Sequence, residues 1–294
     1  MAPATCQRPR LLALLAVLAL SSLTWGPAFA AEPAKGAMGK PVSAPAASSG
    51  APVSAANYPA PPSAGPPHWD YKGDDGPQNW GSLAPEYALC GTGLQQSPID
   101  IQRVYTGSDP RIQFNYKPSR LRVVNNGHTI QVNYDPGSSI KIDDHTYELL
   151  QFHFHTPSEH KLNGQTFDME LHFVHKSAEG TLAVVGVFLQ RGAVNEALQD
   201  LWEHLPSLAG EERSYQTVMI NAADLLPSTA TYYLYSGSLT TPPCTEGVRW
   251  NVIASPLPIS DAQVTTFKRL FPFNARPVQP LNDRFVINVV GPKS

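Results

Sequence analysis

From residue 112 to residue 290, apolar and polar positions trade places in short runs. These are IQFNY (112–116), LRVVNN (121–126), TIQVNY (129–134), SIKID (139–143), YELLQFHFH (147–155) and FDMELHFVHKS (167–177). LAVVGVFLQ (182–190), TYYLYSGSL (231–239), VRWNVIAS (248–255) and FVINVV (285–290) follow. Val, Ile, Tyr and Phe recur within the runs, and Gly, Pro, Asn and Asp fill the gaps, so each run predicts a strand. Helical spacing is confined to two stretches. AVNEALQDLWEHL (193–205) puts Val194, Leu198, Leu201, Trp202 and Leu205 on one side. ISDAQVTTFKRLF (259–271) has Ser260 as cap with Gln263 three residues on. The expectation is a mostly β protein (α+β) with a few short helices.

The first 66 residues follow different rules. Arg8 and Arg10 precede the apolar run LLALLAVLAL (11–20), which leads to Ala28-Phe29-Ala30. A basic start, a short apolar run and an A-x-A site predict a secretory signal peptide over 1–30, cleaved near Ala30. The run is shorter than the ~20 residues that span a bilayer. Residues 31–66 are nearly all Ala, Pro, Gly and Ser, a composition that cannot offset its ordering entropy by burial and reads as a disordered spacer. Residues 67–294 then form a single domain, without an internal linker or repeat.

Charge and cysteines narrow the setting. Without Arg8 and Arg10 the mature chain carries 19 basic and 24 acidic residues, a net charge of −5. No basic run interrupts this, so nucleic acid is not an expected partner, and no membrane span is expected. Cys6 leaves with the signal, so Cys90 and Cys244 remain, as a disulfide or as two free thiols; an oxidising compartment favours the bond.

The chemistry starts at Gln151-Phe152-His153-Phe154-His155. In a strand Phe152 and Phe154 share one face, and Gln151, His153 and His155 share the other. In the later strand Glu170, His172 and Val174 share a face. Asn163-Gly164 lies between, a strong hairpin signal. A tight turn there would set His155 opposite His172, with a slip of one or two residues open. His153, His155 and His172 can then converge as neutral imidazoles, a donor set that suits Zn²⁺ with one position open. Converging carboxylates or thiolates, which calcium or an iron–sulfur cluster would need, are lacking. Gln151 and Glu170 share faces with His153 and His172 and can hold their second ring nitrogens.

QFHFH, SEH (158–160), ELHFVH (170–175) and SLTTPPCTEGVRW (238–250), taken together, resemble an α-class carbonic anhydrase of the secreted bacterial type. GPQNWG (76–81), QSPIDI (96–101), NNGH (125–128), LAVVGVFL (182–189) and RPVQPLNDR (276–284) extend the resemblance from about His68 to Pro292. The resemblance implies a single domain around a large twisted, mainly antiparallel central β-sheet. It implies zinc-dependent reversible hydration of CO₂ to bicarbonate and a proton, by attack of zinc-bound hydroxide, with weak esterase activity beside it. One Zn²⁺ per chain would sit on His153, His155 and His172.

Other roles follow from the same resemblance. Thr240 would take the proton of the nucleophile and donate to Glu159. His128 would shuttle the proton to buffer, along water ordered by Tyr71, Asn126 and Gln131, the last departing from the asparagine usual in animal members. Val174, Val184, Leu239 and Trp250 would form the apolar CO₂ pocket, and Thr241 would line its polar half. Asn274 would hold His155 through its backbone carbonyl, and Cys90–Cys244 would match the disulfide of secreted members. His68, His145, His160, His175 and His204 receive no role. A homodimer is compatible with the resemblance, and the location is expected to be periplasmic or secreted. The competing readings are a non-catalytic binding module, which the three retained histidines with Glu159 and Thr240 disfavour, and a zinc esterase, which the narrow valine-lined pocket disfavours.

Overall fold

A computed structural model describes residues 67–107, 112–228 and 231–289. The signal peptide and spacer expected over 1–66 lie outside the described residues. The described strands are β1 (Asp100–Ile101), β2 (Tyr105–Gly107), β3 (Gln113–Asn115), β4 (Ser119–Asn125), β5 (Ile130–Asn133), β6 (Ser139–Ile142) and β7 (His145–His155). They continue with β8 (Lys161–Leu162), β9 (Met169–Ser177), β10 (Leu182–Arg191), β11 (Glu212–Ile220), β12 (Tyr232–Ser238), β13 (Glu246–Ile259) and β14 (Ile287–Val289). The α-helices are short: α1 (Trp80–Leu83), α2 (Leu89–Thr92), α3 (Gln199–Glu203) and α4 (Asp261–Leu270).

Twelve strands form one sheet, whose main path runs β11-β4-β5-β7-β9-β10-β13-β12-β14-β2. Most neighbours are antiparallel; β10 with β13 and β14 with β2 are parallel. The mostly β expectation holds. Among the described residues no helix is long and apolar enough to cross a membrane.

β7 shows how the sheet acquires two chemically different faces. Tyr147 and Leu149 point into the core, and strict alternation would send residues 151, 153 and 155 after them. The pairing with β9 instead shifts between Leu149 and Gln151. Leu150 is the extra residue of this bulge and is exposed. Beyond it, Phe152 and Phe154 take the core side, fully buried among Tyr134, Phe173, Trp202 and Phe267. Gln151, His153 and His155 are thereby turned to the opposite side. The paired leucines of YELLQ are the trace of that bulge in the sequence.

The core face is closed by α4 and the segment before it. Ser260 and Gln263 form the expected capping box, and Val264 and Phe267 are buried, Phe267 against Phe154. The 193–205 helix is shorter than its pattern suggests: a 3₁₀ turn at Glu196–Leu198 runs into α3, Leu198 and Leu201 are buried, and Val194 is exposed. β11 was not expected. It is an edge strand beside β4, and its residues are mostly exposed or half-buried, so it lacks a clean apolar alternation.

The register of β7 on β9 differs from the tight-hairpin expectation. His172 lies opposite His153, and Glu170 lies opposite His155. Asn163 and Gly164 do occupy the left-handed region expected of such a turn, at φ 51° and 79°. That turn closes only Leu162 onto Gln165. Residues 156–168 form an excursion whose β8 pairs with β1, so the turn does not set the pairing of the long strands.

Candidate active site

Both long strands present the site from their non-core face. The rings of His153, His155 and His172 lie with centroids 5.0 Å, 5.4 Å and 4.6 Å apart. One nitrogen of each is already committed. His153 Nδ1 donates to Gln151 Oε1 at 2.8 Å, His155 Nδ1 to the Asn274 carbonyl at 2.7 Å, and His172 Nε2 to Glu170 Oε1 at 2.9 Å. Each of these partners accepts, so the ring nitrogen facing it carries the hydrogen. The lone pairs left are on His153 Nε2, His155 Nε2 and His172 Nδ1. One ligand nitrogen from each ring comes within 4.8 Å of the other two.

Electrostatics keep the imidazoles neutral, as ligands must be. Burial and the neighbouring rings hold His153 well below the usual histidine range. Burial lowers His155 to about 4 and also lowers His172. Burial alone would raise Glu170, but the charges and hydrogen bonds of His160 and His172 outweigh it, and its carboxyl sits well below the usual range. The glycine at 186, opposite His172, makes room for this carboxylate: a Cβ there would lie 3.0 Å from Glu170 Oε1.

Two polar atoms in the cradle are buried without a hydrogen-bond partner, His155 Nε2 and Glu159 Oε2. They lie 3.5 Å apart, and Glu159 Oε2 is 3.9 Å from His172 Nδ1. An imidazole lone pair and a carboxylate oxygen orphaned together fit a cation held there. Three imidazole nitrogens are the donor set of an open zinc site. The other oxygen of Glu159 accepts the Arg276 N–H at 2.8 Å. Burial pushes the Glu159 carboxyl up to about 7, against the pull of His172, the Arg276 N–H and the Thr240 hydroxyl bonded to it. Thr240 is itself buried.

A cleft of about 120 Å³ opens beside the histidines. Tyr71, Asn126, His128, Gln131, Gln151, His153, His155 and Thr241 line it, together with Trp69 and Thr129. His128 is half-buried and stacks on Trp69, with centroids 3.7 Å apart and planes at 8°. Burial lowers its pKa, and Asp70 opposes that shift. Asn126 Oδ1 accepts the N–H groups of His128 and Thr129, which shapes the turn that presents His128. Gln131 donates to Asn133 at 2.7 Å. On the other side, Val184 lies opposite Val174 on β9 and Trp250 on β13, and Leu239 packs against the same cluster. Trp250 meets the His172 ring edge-on at 4.8 Å.

The loop carrying Thr240 and Thr241 is tied down from outside. Cys90 and Cys244 form the expected disulfide. Arg276, fully buried, donates to Gln96 Oε1 and to the carbonyls of Ser97 and Cys90, while Gln96 donates to the Cys244 carbonyl. Residue-by-residue reading passed over Trp69, His160, Tyr235 and Arg276. Trp69 and Tyr235 carry no local motif, and Arg276 and His160 sat within recognised motifs without an assigned role.

A family model for eukaryotic-type carbonic anhydrase matches residues 75–290. A carbonic anhydrase of Nostoc sp. is 49% identical over 228 residues, covering 76% of this chain and 86% of that one. One from Neisseria gonorrhoeae is 47% identical over 222 residues, covering 75% and 87%. Among solved structures, α-carbonic anhydrase from Thermovibrio ammonificans, in complex with the inhibitor sulfanilamide, matches with a TM-score of 0.74 and 44% identity. That match covers 76% of this chain and all of the other. The chain belongs to the α-class, eukaryotic-type carbonic anhydrases. Its activity is carbonic anhydrase activity, EC 4.2.1.1, and its histidine triad fits a zinc site.

Proposed function

We propose that the cleft hydrates CO₂ reversibly on one zinc ion per chain, held by His153 Nε2, His155 Nε2 and His172 Nδ1. The observation that carries this reading is the commitment of the other three ring nitrogens, which leaves three lone pairs converging in a buried cradle. Zinc in such a cradle acts as a Lewis acid that makes water a nucleophile near neutral pH, for which carbonic anhydrase is the established example.

The chain's own residues do the rest. Arg276 N–H fixes Glu159, and Glu159 accepts the Thr240 hydroxyl proton. With its hydrogen so directed, the Thr240 oxygen can only accept from the cleft side, and it orients the water that reacts. Glu159 would hold its carboxylate form with a cation bound in the cradle, against the effect of burial. Val174, Val184, Leu239 and Trp250 offer CO₂ an apolar seat beside the histidines. His128 passes the released proton to buffer along water ordered by Tyr71, Asn126 and Gln131. Its half-buried place at the cleft wall suits it to that task, with Asp70 opposing the lowering of its pKa by burial. Weak hydrolysis of activated esters accompanies the main reaction.

The disulfide fits an extracytoplasmic setting. We infer export to the periplasm or beyond, directed by residues 1–30, with 31–66 as a spacer. Stopped-flow CO₂ hydration by the native protein and by His172→Ala tests the central reading. Fast hydration that is lost in the variant is expected. Equal rates would refute it.

A further inference from the structure

The turn that presents His128 is fastened to the strand that presents two of the cradle histidines. β5 and β7 pair through their backbones from Asn133 opposite Gln151 to Gln131 opposite His153, and that ladder goes no further. One step on, the Thr129 hydroxyl stands in for a backbone. It accepts the Phe154 N–H at 3.3 Å and donates to the Phe154 carbonyl, the nearer of its two acceptors. Phe154 lies between His153 and His155, and Thr129 directly follows His128. Both Phe154 and Thr129 are buried.

Asn274 makes a second fastening. Its amide nitrogen donates to the Phe154 carbonyl and to the His128 carbonyl, each at 2.9 Å. Its amide oxygen accepts the Thr156 N–H at 2.7 Å, which fixes the orientation of the amide. The backbone carbonyl of the same residue accepts His155 Nδ1. Asn274 is buried, and both hydrogens of its amide have acceptors. The His128 backbone and the His155 ring therefore hang from one residue, and the Phe154 carbonyl is shared between that residue and Thr129.

These bonds do what the turn's own bonds cannot. Asn126 Oδ1 accepts two N–H groups within the turn, and that sets its shape. Shape alone does not set its distance from β7. Turns held by local, solvent-facing bonds open easily, whereas buried bonds to a central strand share that strand's stability. Proton transfer along ordered water depends on small displacements of the group that receives the proton. The place of His128 relative to β7 is thus a quantity on which rate depends, and Thr129 and Asn274 set it.

We propose that Thr129 and the side chain of Asn274 are positioning residues for proton transfer: they fix the turn carrying His128 at one place relative to His153 and His155. This rests on the reading of His128 as the proton carrier. A merely structural pair of bonds would lower stability when cut and leave the folded protein's proton release unaffected.

The test is Thr129→Val, which keeps the shape of the side chain and removes its hydroxyl. Turnover in dilute buffer contains the proton release, and kcat/KM contains only the steps before it. We expect kcat in dilute buffer to fall about tenfold or more, toward that of His128→Ala, with kcat/KM little changed. Added imidazole should restore kcat, and in a His128→Ala background the substitution should have no further effect on it. Relaxation-dispersion spectra of the metal-free protein give a readout independent of turnover: the His128 and Phe154 amides should show millisecond exchange in the variant and none in the native chain. Thr129→Ser, which keeps the hydroxyl, should behave as native. A folded Thr129→Val protein with native kcat in dilute buffer overturns the proposal, as does an equal loss in kcat and kcat/KM. Should that variant not fold, Asn274→Asp removes both donors and keeps the acceptor for Thr156; it must show the same split, and native kcat again overturns the proposal. Native turnover in His128→Ala would refute the carrier reading itself, whereas a slow His128→Ala beside an unaffected Thr129→Val refutes the positioning alone.

Discussion

Phe152 and Phe154 touch rings and aliphatic chains on one side of β7, while His153 and His155, a residue away, each spend one nitrogen on a single fixed acceptor. The two sides differ in what they ask of their residues. Dispersion and burial on the core side are non-directional, so shape and volume matter there and identity matters less. Hydrogen bonds and lone pairs on the other side are directional, so Gln151, Asn274 and Glu170 are needed where they stand. Leu150 separates the two regimes, because the bulge at this residue decides which side chains face which side.

Inserting one alanine between Gln151 and Phe152 gives the largest effect. The added residue would turn His153 and His155 into the core and Phe152 and Phe154 out of it, and we expect neither zinc binding nor a cooperative melt by calorimetry. Phe152→Ala attacks the core side alone. It should cost about 3–5 kcal/mol in denaturant unfolding, while the folded fraction keeps its rate of CO₂ hydration.

His175 sharpens the contrast, being a histidine on the core side. It accepts the Tyr116 hydroxyl at 2.8 Å and donates to the Ala183 carbonyl at 3.2 Å, and burial lowers its pKa to about 3. The unfolded chain therefore binds the proton first as pH falls. The stability His175 contributes is present above about 6.5, is lost steadily between about 6.5 and 3, and amounts to roughly 3 kcal/mol by pH 4. Unfolding titrations of the native protein should show that slope, and His175→Gln should flatten it.

On the site side, Thr240→Val keeps the volume and removes the hydroxyl. Hydration should fall about 10²-fold through lost orientation, with the melting temperature nearly unchanged. His128→Ala should have the smallest effect: slower turnover in dilute buffer, restored by added imidazole, and no change in zinc content.

The two sides were also unequally legible in the sequence. Strands such as 129–134 and 182–190 show their period directly, and QFHFH displays both faces of β7 in five letters. The cluster was readable because two of its histidines sit two apart on one strand and the third on the next long strand. Its register was not: the Asn163-Gly164 turn closes a two-residue ladder inside an excursion, and the true partner of His153 depends on the bulge and on β8 pairing with β1. β11 escaped because an exposed edge strand needs little apolar alternation. His160, Tyr235 and Ser97 escaped for another reason. Their bonds join residues 10, 75 and 138 positions apart, and no spacing in a single chain announces such contacts.

The claim that most needs testing is that the face opposite Phe152 and Phe154 holds one zinc ion through three imidazoles. Zinc-edge X-ray absorption on the purified protein, with the metal counted, tests it directly. One zinc per chain with three imidazole nitrogens in its coordination sphere is expected, with loss of that signal in His172→Ala. Zinc bound through sulfur or carboxylates, or the same spectrum in the variant, would contradict it.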